Sequence, residues 1–263
     1  ERISKLPGTT VAVMRPGEMS QLSLNTSTPP LDNILVRQAF AHALDRDTMV
    51  EFKGPDVTLA ALSVVPEGYL GYTGDVTKYE FDVEKAKALL AEAGVENLEL
   101  TVGVREAQER LEIAQSLQNT FAQAGITLNL EVGTGKQILG KYRARELDIY
   151  LGAWGPDYPD PHTNAGTFAY NPDNSDEAQA TGLLAWRNSW DTGGLTEKVA
   201  AAVVEGDTEK RAEMYHDIQA QFRETAPFAV MFQLIEQAGV AEEVEGLSLG
   251  AAITAASYWN VTK

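Results

Sequence analysis

Between residues 82 and 153 the hydrophobic period switches repeatedly, and this constrains the fold more than any other feature of the chain. Leu98 to Val104 alternates as a strand does. Ala107 to Ala124 repeats at three and four, with Leu111, Ala114, Leu117 and Phe121 on one face and Gly125 ending it. Ile126 to Val132 is a second strand, Gln137 to Arg145 a short helix and Leu147 to Ala153 a third strand. Strand, helix, strand, helix, strand at this spacing predicts a parallel βαβαβ unit with right-handed crossovers. Ligands of such sheets bind at the C-terminal strand ends. Two loops qualify, Gly103 to Gln108 and Trp154 to Asn164.

Other segments attach to this unit. Thr9 to Val13 and Gln21 to Asn25 read as strands, and Thr28-Pro29-Pro30 then breaks regular structure. Val36, Ala39, Phe40 and Ala43 mark one helix, and Asp45 or Asp47 caps another running to about Phe52. Residues 54 to 81 read as an irregular connection. Asp82 caps a helix with Ala86, Leu89, Leu90 and Ala93 buried, and Gly94 stops it. The stretch from 160 to 195 is too long for an ordinary connection, so it is either disordered or a binding loop. Thr196 to Val204 is a helix. Asp207 caps the next, which buries Ala212, Tyr215, Ile218 and Phe222 and ends at Pro227. Ala229 to Phe232 reads as a buried strand, with a second near Val244 to Leu249.

Composition narrows the function. With 21 Lys and Arg against 38 Asp and Glu, the net charge is -17, which argues against nucleic acid and anionic membrane as partners. No apolar run is long enough to span a bilayer. Cysteine is absent, so disulfides, thiolate metal sites and a cysteine nucleophile are excluded. The opening Glu1-Arg2-Ile3 carries no leader, and the chain is read as processed or excised.

Motifs for chemistry are missing. The three histidines, His42, His162 and His216, have no metal-ligand spacing. His42 reads as a packing residue and His216 as a surface group, while His162 lies in the proline-rich loop where ligand is within reach. Gly133-Thr134-Gly135-Lys136 lacks the phosphate-loop spacing and is read as a turn. No nucleophile elbow or carboxylate pair is visible. No cofactor is expected.

The densest concentration of unusual residues is Trp154-Gly155-Pro156-Asp157-Tyr158-Pro159-Asp160-Pro161-His162, directly after the third strand. Trp154 and Tyr158 offer rigid apolar area with polar edges. Asp157, if partly desolvated, needs a partner, and a ligand ammonium would serve. Asp160 serves equally well as a turn residue. Arg105 follows the first parallel strand, where it meets a ligand carboxylate or stays a surface group. Trp186 and Trp190 either wall a cleft or pin the long loop.

Val36-Arg37-Gln38-Ala39-Phe40-Ala41-His42-Ala43-Leu44-Asp45-Arg46 follows Leu24-Asn25 and Pro29-Pro30. With Trp154 to Pro161, Asp207 to Arg211, Ala226-Pro227-Phe228 and Trp259 to Lys263, it resembles the peptide/nickel/opine class of bacterial extracellular solute-binding proteins. The resemblance implies an α/β periplasmic-binding-protein-like type II lobe, carrying hinge and tail segments of another lobe. Residues 1–28 would be hinge and first lobe, 29–228 the second lobe and 229–263 a return to the first, the N-terminal half being absent. It implies a periplasmic, non-enzymatic receptor that binds short peptides and delivers them to an inner-membrane ABC permease. An opine, a nickel complex, haem or an oligosaccharide is the alternative ligand, and a cleft hydrolase the rival class. In peptide-binding members the aspartate after the strand-end tryptophan pairs with the peptide ammonium, and Asp157 matches it. Trp154, Tyr158, His162, Arg105 and Trp186 complete the expected ligand set.

Overall fold

The computed structural model describes residues 5–61, 63–74, 79–250 and 256–263. Its strands are β1 (Thr9–Met14), β2 (Met19–Leu24), β3 (Thr58–Ala60), β4 (Leu98–Arg105), β5 (Ile126–Gly133), β6 (Ile149–Trp154), β7 (Phe228–Leu234) and β8 (Glu236–Ala241). Its helices are α1 (Ile34–Ala43), α2 (Arg46–Lys53), α3 (Val83–Glu92), α4 (Gln108–Gln123), α5 (Gly135–Arg143), α6 (Pro161–Phe168), α7 (Leu184–Arg187), α8 (Leu195–Val204) and α9 (Thr208–Thr225).

Helix boundaries follow local chemistry. The carboxylates of Asp45, Asp82 and Asp207 accept the N–H three residues on, which satisfies a first-turn donor of α2, α3 and α9. Gly94 and Gly125 follow α3 and α4 at φ 71° and 80°, a conformation that penalises any residue with a Cβ. Thr134 and Gln137 close a reciprocal capping box, so α5 begins at Gly135, two residues before the helix the sequence suggests.

Six strands form one mixed sheet in the order β3-β7-β2-β6-β4-β5. β4 runs parallel to β5 and β6, as the βαβαβ pattern predicts. β2 lies antiparallel between β6 and β7. All six of its residues are buried, because it has a neighbour on each edge and helices over each face. Leu22, Leu24, Ile149 and Leu151 join Val36, Phe40 and Phe121 in one core layer. Met19 and Tyr150 join Ile138, Tyr142, Phe168, Tyr215 and Phe222 in the other. β1 and β8 form a separate two-stranded antiparallel ladder, with Met14 opposite Glu236.

Three expectations are corrected. Residues 160–195 are an ordered segment containing α6 and α7. Arg145 organises its middle through bonds to Trp186 O (2.8 Å), Asn174 O (3.0 Å), Asn174 Oδ1 (3.0 Å) and Asp176 Oδ1 (2.9 Å). Its guanidinium also lies 3.7 Å from the Trp186 ring centroid. The strand of the tail is β8, immediately after β7, whereas 244–249 contributes only the isolated bridges Glu245–Thr262 and Ser248–Ser257. The connection from 54 to 81 gains β3 among its described residues, while Leu62 and 75–78 lie outside them.

Phe40 and Phe121 meet edge to face at 5.0 Å, and neither is exposed. Phe121→Ala is expected to cost about 3–5 kcal/mol, read as a lower denaturation midpoint with an unchanged slope in urea.

Candidate functional site

The strand directions concentrate polar groups at one end of the large sheet. β4, β5 and β6 finish there, β2 starts there and β7 finishes there, since Met19 pairs with both Trp154 and Gln233. The two segments leading to the β1–β8 ladder, 14–19 and 234–236, leave from the same end. Leu234 N donates to Glu18 O (2.9 Å), so the two crossings are tied together.

Trp154 ends β6 half-buried, its ring edge-on to Phe168 at 5.8 Å. Asp157 and Tyr158 follow in an exposed loop. Asp157 makes no hydrogen bond or ion pair among the described residues, and Tyr158 is 55% exposed. Both are available to a ligand. Asp160 is otherwise committed. It caps α6 through His162 N (2.8 Å) and takes the Arg211 guanidinium in a two-pronged pair at 2.8 and 2.9 Å. Partial burial raises its pKa, but the bonds from Arg211 and His162 N outweigh that and hold it below the usual range.

His162 turns over Gly166, where a Cβ would stand 3.0 Å from its ring. It lines a groove of about 480 Å³ between α6 and α8 with Thr167, Tyr170, Ala200 and Val203. Burial lowers its pKa, so the neutral ring is favoured. Trp186 is not part of this end. It is buried beside Arg145, near the Leu24–Ile149 end of β2 and β6, and donates to Ser175 O (2.8 Å). It pins the 160–195 segment, which is one of the two roles the sequence left open.

Arg105 closes β4, the strand paired with β6 at Val102–Ile149 and Gly103–Tyr150, so it shares an end with Trp154. Its side chain lies along Gly135, where a Cβ would be 3.7 Å from Cδ. Its Nε is enclosed, with no hydrogen-bond partner among the described residues. Two further charges stand here that the sequence reading missed, Glu18 before β2 and Arg110 in the first turn of α4. Burial raises the Glu18 pKa, Glu236 and Glu109 add to the rise, and Arg110 and Arg105 oppose it. Nothing local in the sequence marks either residue, because their approach depends on β2 lying beside β6.

The crossing at 14–19 is tightly packed. Gly17 has φ 74°, and a Cβ there would stand 2.6 Å from the Tyr69 hydroxyl oxygen and 3.1 Å from Pro156 Cγ. Only glycine fits, both for its backbone and for space. Tyr69 donates to Pro16 O (3.2 Å), and burial with the nearby Asp160 charge pushes its pKa up to about 12.

Comparison with known proteins places this geometry. The model described as "Bacterial extracellular solute-binding proteins, family 5 Middle" matches residues 1–176. Di/tripeptide-binding protein 2 of Pseudomonas aeruginosa (strain UCBPP-PA14) is 27% identical over 218 residues, which covers 80% of this chain and 39% of that protein. The dipeptide-binding protein of Escherichia coli (strain K12) is 25% identical over 231 residues, covering 86% and 42%. The chain therefore spans about two fifths of the length of these relatives. Among solved structures, HbpA2 from Haemophilus parasuis superposes with a TM-score of 0.87 at 24% identity, over 99% of this chain and 51% of that one. A dipeptide binding protein from Pseudoalteromonas sp. SM9913, in complex with Met-Leu, gives 0.82 at 22%, over 100% and 51%. At these identities the structural likeness shows the fold alone, a mixed α/β lobe of the periplasmic-binding-protein type.

The raised Glu18 pKa has a stability consequence. The folded chain holds this proton more tightly than the unfolded chain, so stability falls as pH rises from the ordinary carboxylate range through the elevated value. Glu18→Gln is expected to raise the melting temperature at pH 7, with the gain vanishing below about pH 4. Thermal denaturation at both pH values checks this.

Proposed function

Since this chain belongs to the bacterial extracellular solute-binding proteins of family 5, we propose that it forms the larger part of one lobe of an extracytoplasmic receptor for short peptides. The rest of the receptor supplies the opposite wall of the cleft. The receptor passes its ligand to the permease of an ATP-driven importer. The sequence put residues 1–28 and 229–263 with the other lobe; because β2 and β7 belong to the large sheet and β1 and β8 do not, the proposed boundary moves to the crossings 14–19 and 234–236.

One observation carries the reading. The ends of β6 and β4 present opposite charges, Asp157 and Arg105, neither of which has an ion-pair partner among the described residues. A short peptide is a zwitterion and complements such a pair. Its ammonium goes to Asp157 and its carboxylate to Arg105, while Trp154 and Tyr158 cover the backbone between. Contacts of this kind engage the termini and main chain, which leaves side-chain choice broad. The peptide-binding names of the two relatives agree with this. No bond is made or broken in the process. Ligand favours the closed form through its extra contacts there, and the crossings flex.

Native mass spectrometry of the complete protein, followed by denaturation, is expected to release a mixture of short peptides. Asp157→Ala is expected to weaken dipeptide binding by at least about tenfold, in line with about 2–5 kcal/mol for truncating one partner of a buried charge pair. Release of a single opine, haem or nickel complex, or unchanged dipeptide affinity in Asp157→Ala, would overturn the peptide assignment.

A further inference from the structure

Elsewhere among the described residues, most buried or half-buried arginines donate hydrogen bonds to the protein, while Arg223, whose Nε also has no partner, lies over the Tyr79 ring at 5.2 Å. Arg37 and Arg46 each donate to three backbone carbonyls. Arg145 and Arg211 hold carbonyls and carboxylates, and Arg187 donates to Thr181 O. Arg105 and Arg110 differ. Neither donates a hydrogen bond nor lies within ion-pair distance of a carboxylate among the described residues, although the chain carries 38 acidic side chains. Partial burial disfavours the charge on Arg110, and the nearby Arg105 disfavours it further.

The surroundings add positive potential. α4 begins at Ala107, whose side chain caps nothing, so the first-turn N–H groups beside Arg110 lack a side-chain acceptor. The N-terminus of α5 adjoins Arg105 at Gly135. Of the acidic neighbours, Glu109 is paired with Lys53. Glu18 faces both arginines without reaching ion-pair distance of either, so it tempers the site without filling it.

We propose that Arg105 and Arg110 together receive two carboxylates, which makes a C-terminal acidic residue the preferred ending of a bound peptide. The α-carboxylate goes to Arg105 and the side-chain carboxylate to Arg110. The two groups of a terminal Glu are joined by a short flexible stem, so neighbouring guanidiniums suit them. This rests on the peptide reading above and gives that site a substrate class. Arg110 is the residue that determines the preference.

The test is titration calorimetry of the complete protein with Ala-Ala, Ala-Gln and Ala-Glu, for the wild type and Arg110→Gln. The wild type is expected to bind Ala-Glu at least about tenfold more tightly than Ala-Gln, an added charge-assisted contact being the only difference. Arg110→Gln is expected to bring that ratio to about one and to leave Ala-Ala within about threefold of wild type, since a neutral dipeptide does not use Arg110. Equal wild-type affinities for Ala-Glu and Ala-Gln, or a preference that survives in Arg110→Gln, would overturn the proposal and leave the peptide reading standing. Failure of all three peptides to bind the wild type would remove the peptide reading and this proposal with it.

Discussion

The pairing of β2 with both β6 and β7 is the constraint on which the rest of the molecule depends. Six consecutive buried residues sit at the centre of the sheet and hydrogen-bond to strands that lie far away in the chain. Without β2, the parallel unit β5-β4-β6 would expose the edge of β6, and β7 would lose its main partner. The same insertion sets the composition of the functional end. Because β2 runs antiparallel to β6, its first residue meets the last residue of β6, and Glu18 arrives beside the loop that carries Asp157.

Elements that carry their own start and stop signals were legible in the sequence. Asp82 and Gly94 bracket α3, Gly125 ends α4 and Asp207 starts α9, each through a bond or backbone conformation made within a few residues. The βαβαβ order followed, and with it the position of Trp154 and Asp157 at a strand end. Elements ordered by distant partners were not legible. The segment from 160 to 195 shows no periodicity because Arg145, from outside it, supplies the bonds at its centre. β8 is largely exposed, and its extended form comes from pairing with β1. Trp186 and His162 have the right chemistry for a ligand, but one is buried at the far end of the sheet and the other faces a groove between helices.

The charge arrangement separates a committed carboxylate from an uncommitted one within one short loop. Asp160 and Asp157 are three residues apart and chemically identical. Asp160 is neutralised by the Arg211 fork and a helix N-terminus, which fixes the loop on α6 and α9. Asp157 is left exposed on the anchored loop. On the peptide reading proposed above, a carboxylate on an anchored loop, with no partner among the described residues, would meet an incoming cation at little ordering cost.

The central position of β2 also bears on the order in which the molecule can assemble. Its partner β7 ends more than two hundred residues later, at Leu234. A ribosome therefore adds more than two hundred residues after β2 before the middle of the sheet can close. Contacts of such sequence separation pay a large loop-closure entropy before they return any stability, and they slow folding. Until β7 emerges, the apolar flanks of β6 and β2 stay open to other chains. The centre of the sheet is therefore the last part of this lobe that can be completed during synthesis.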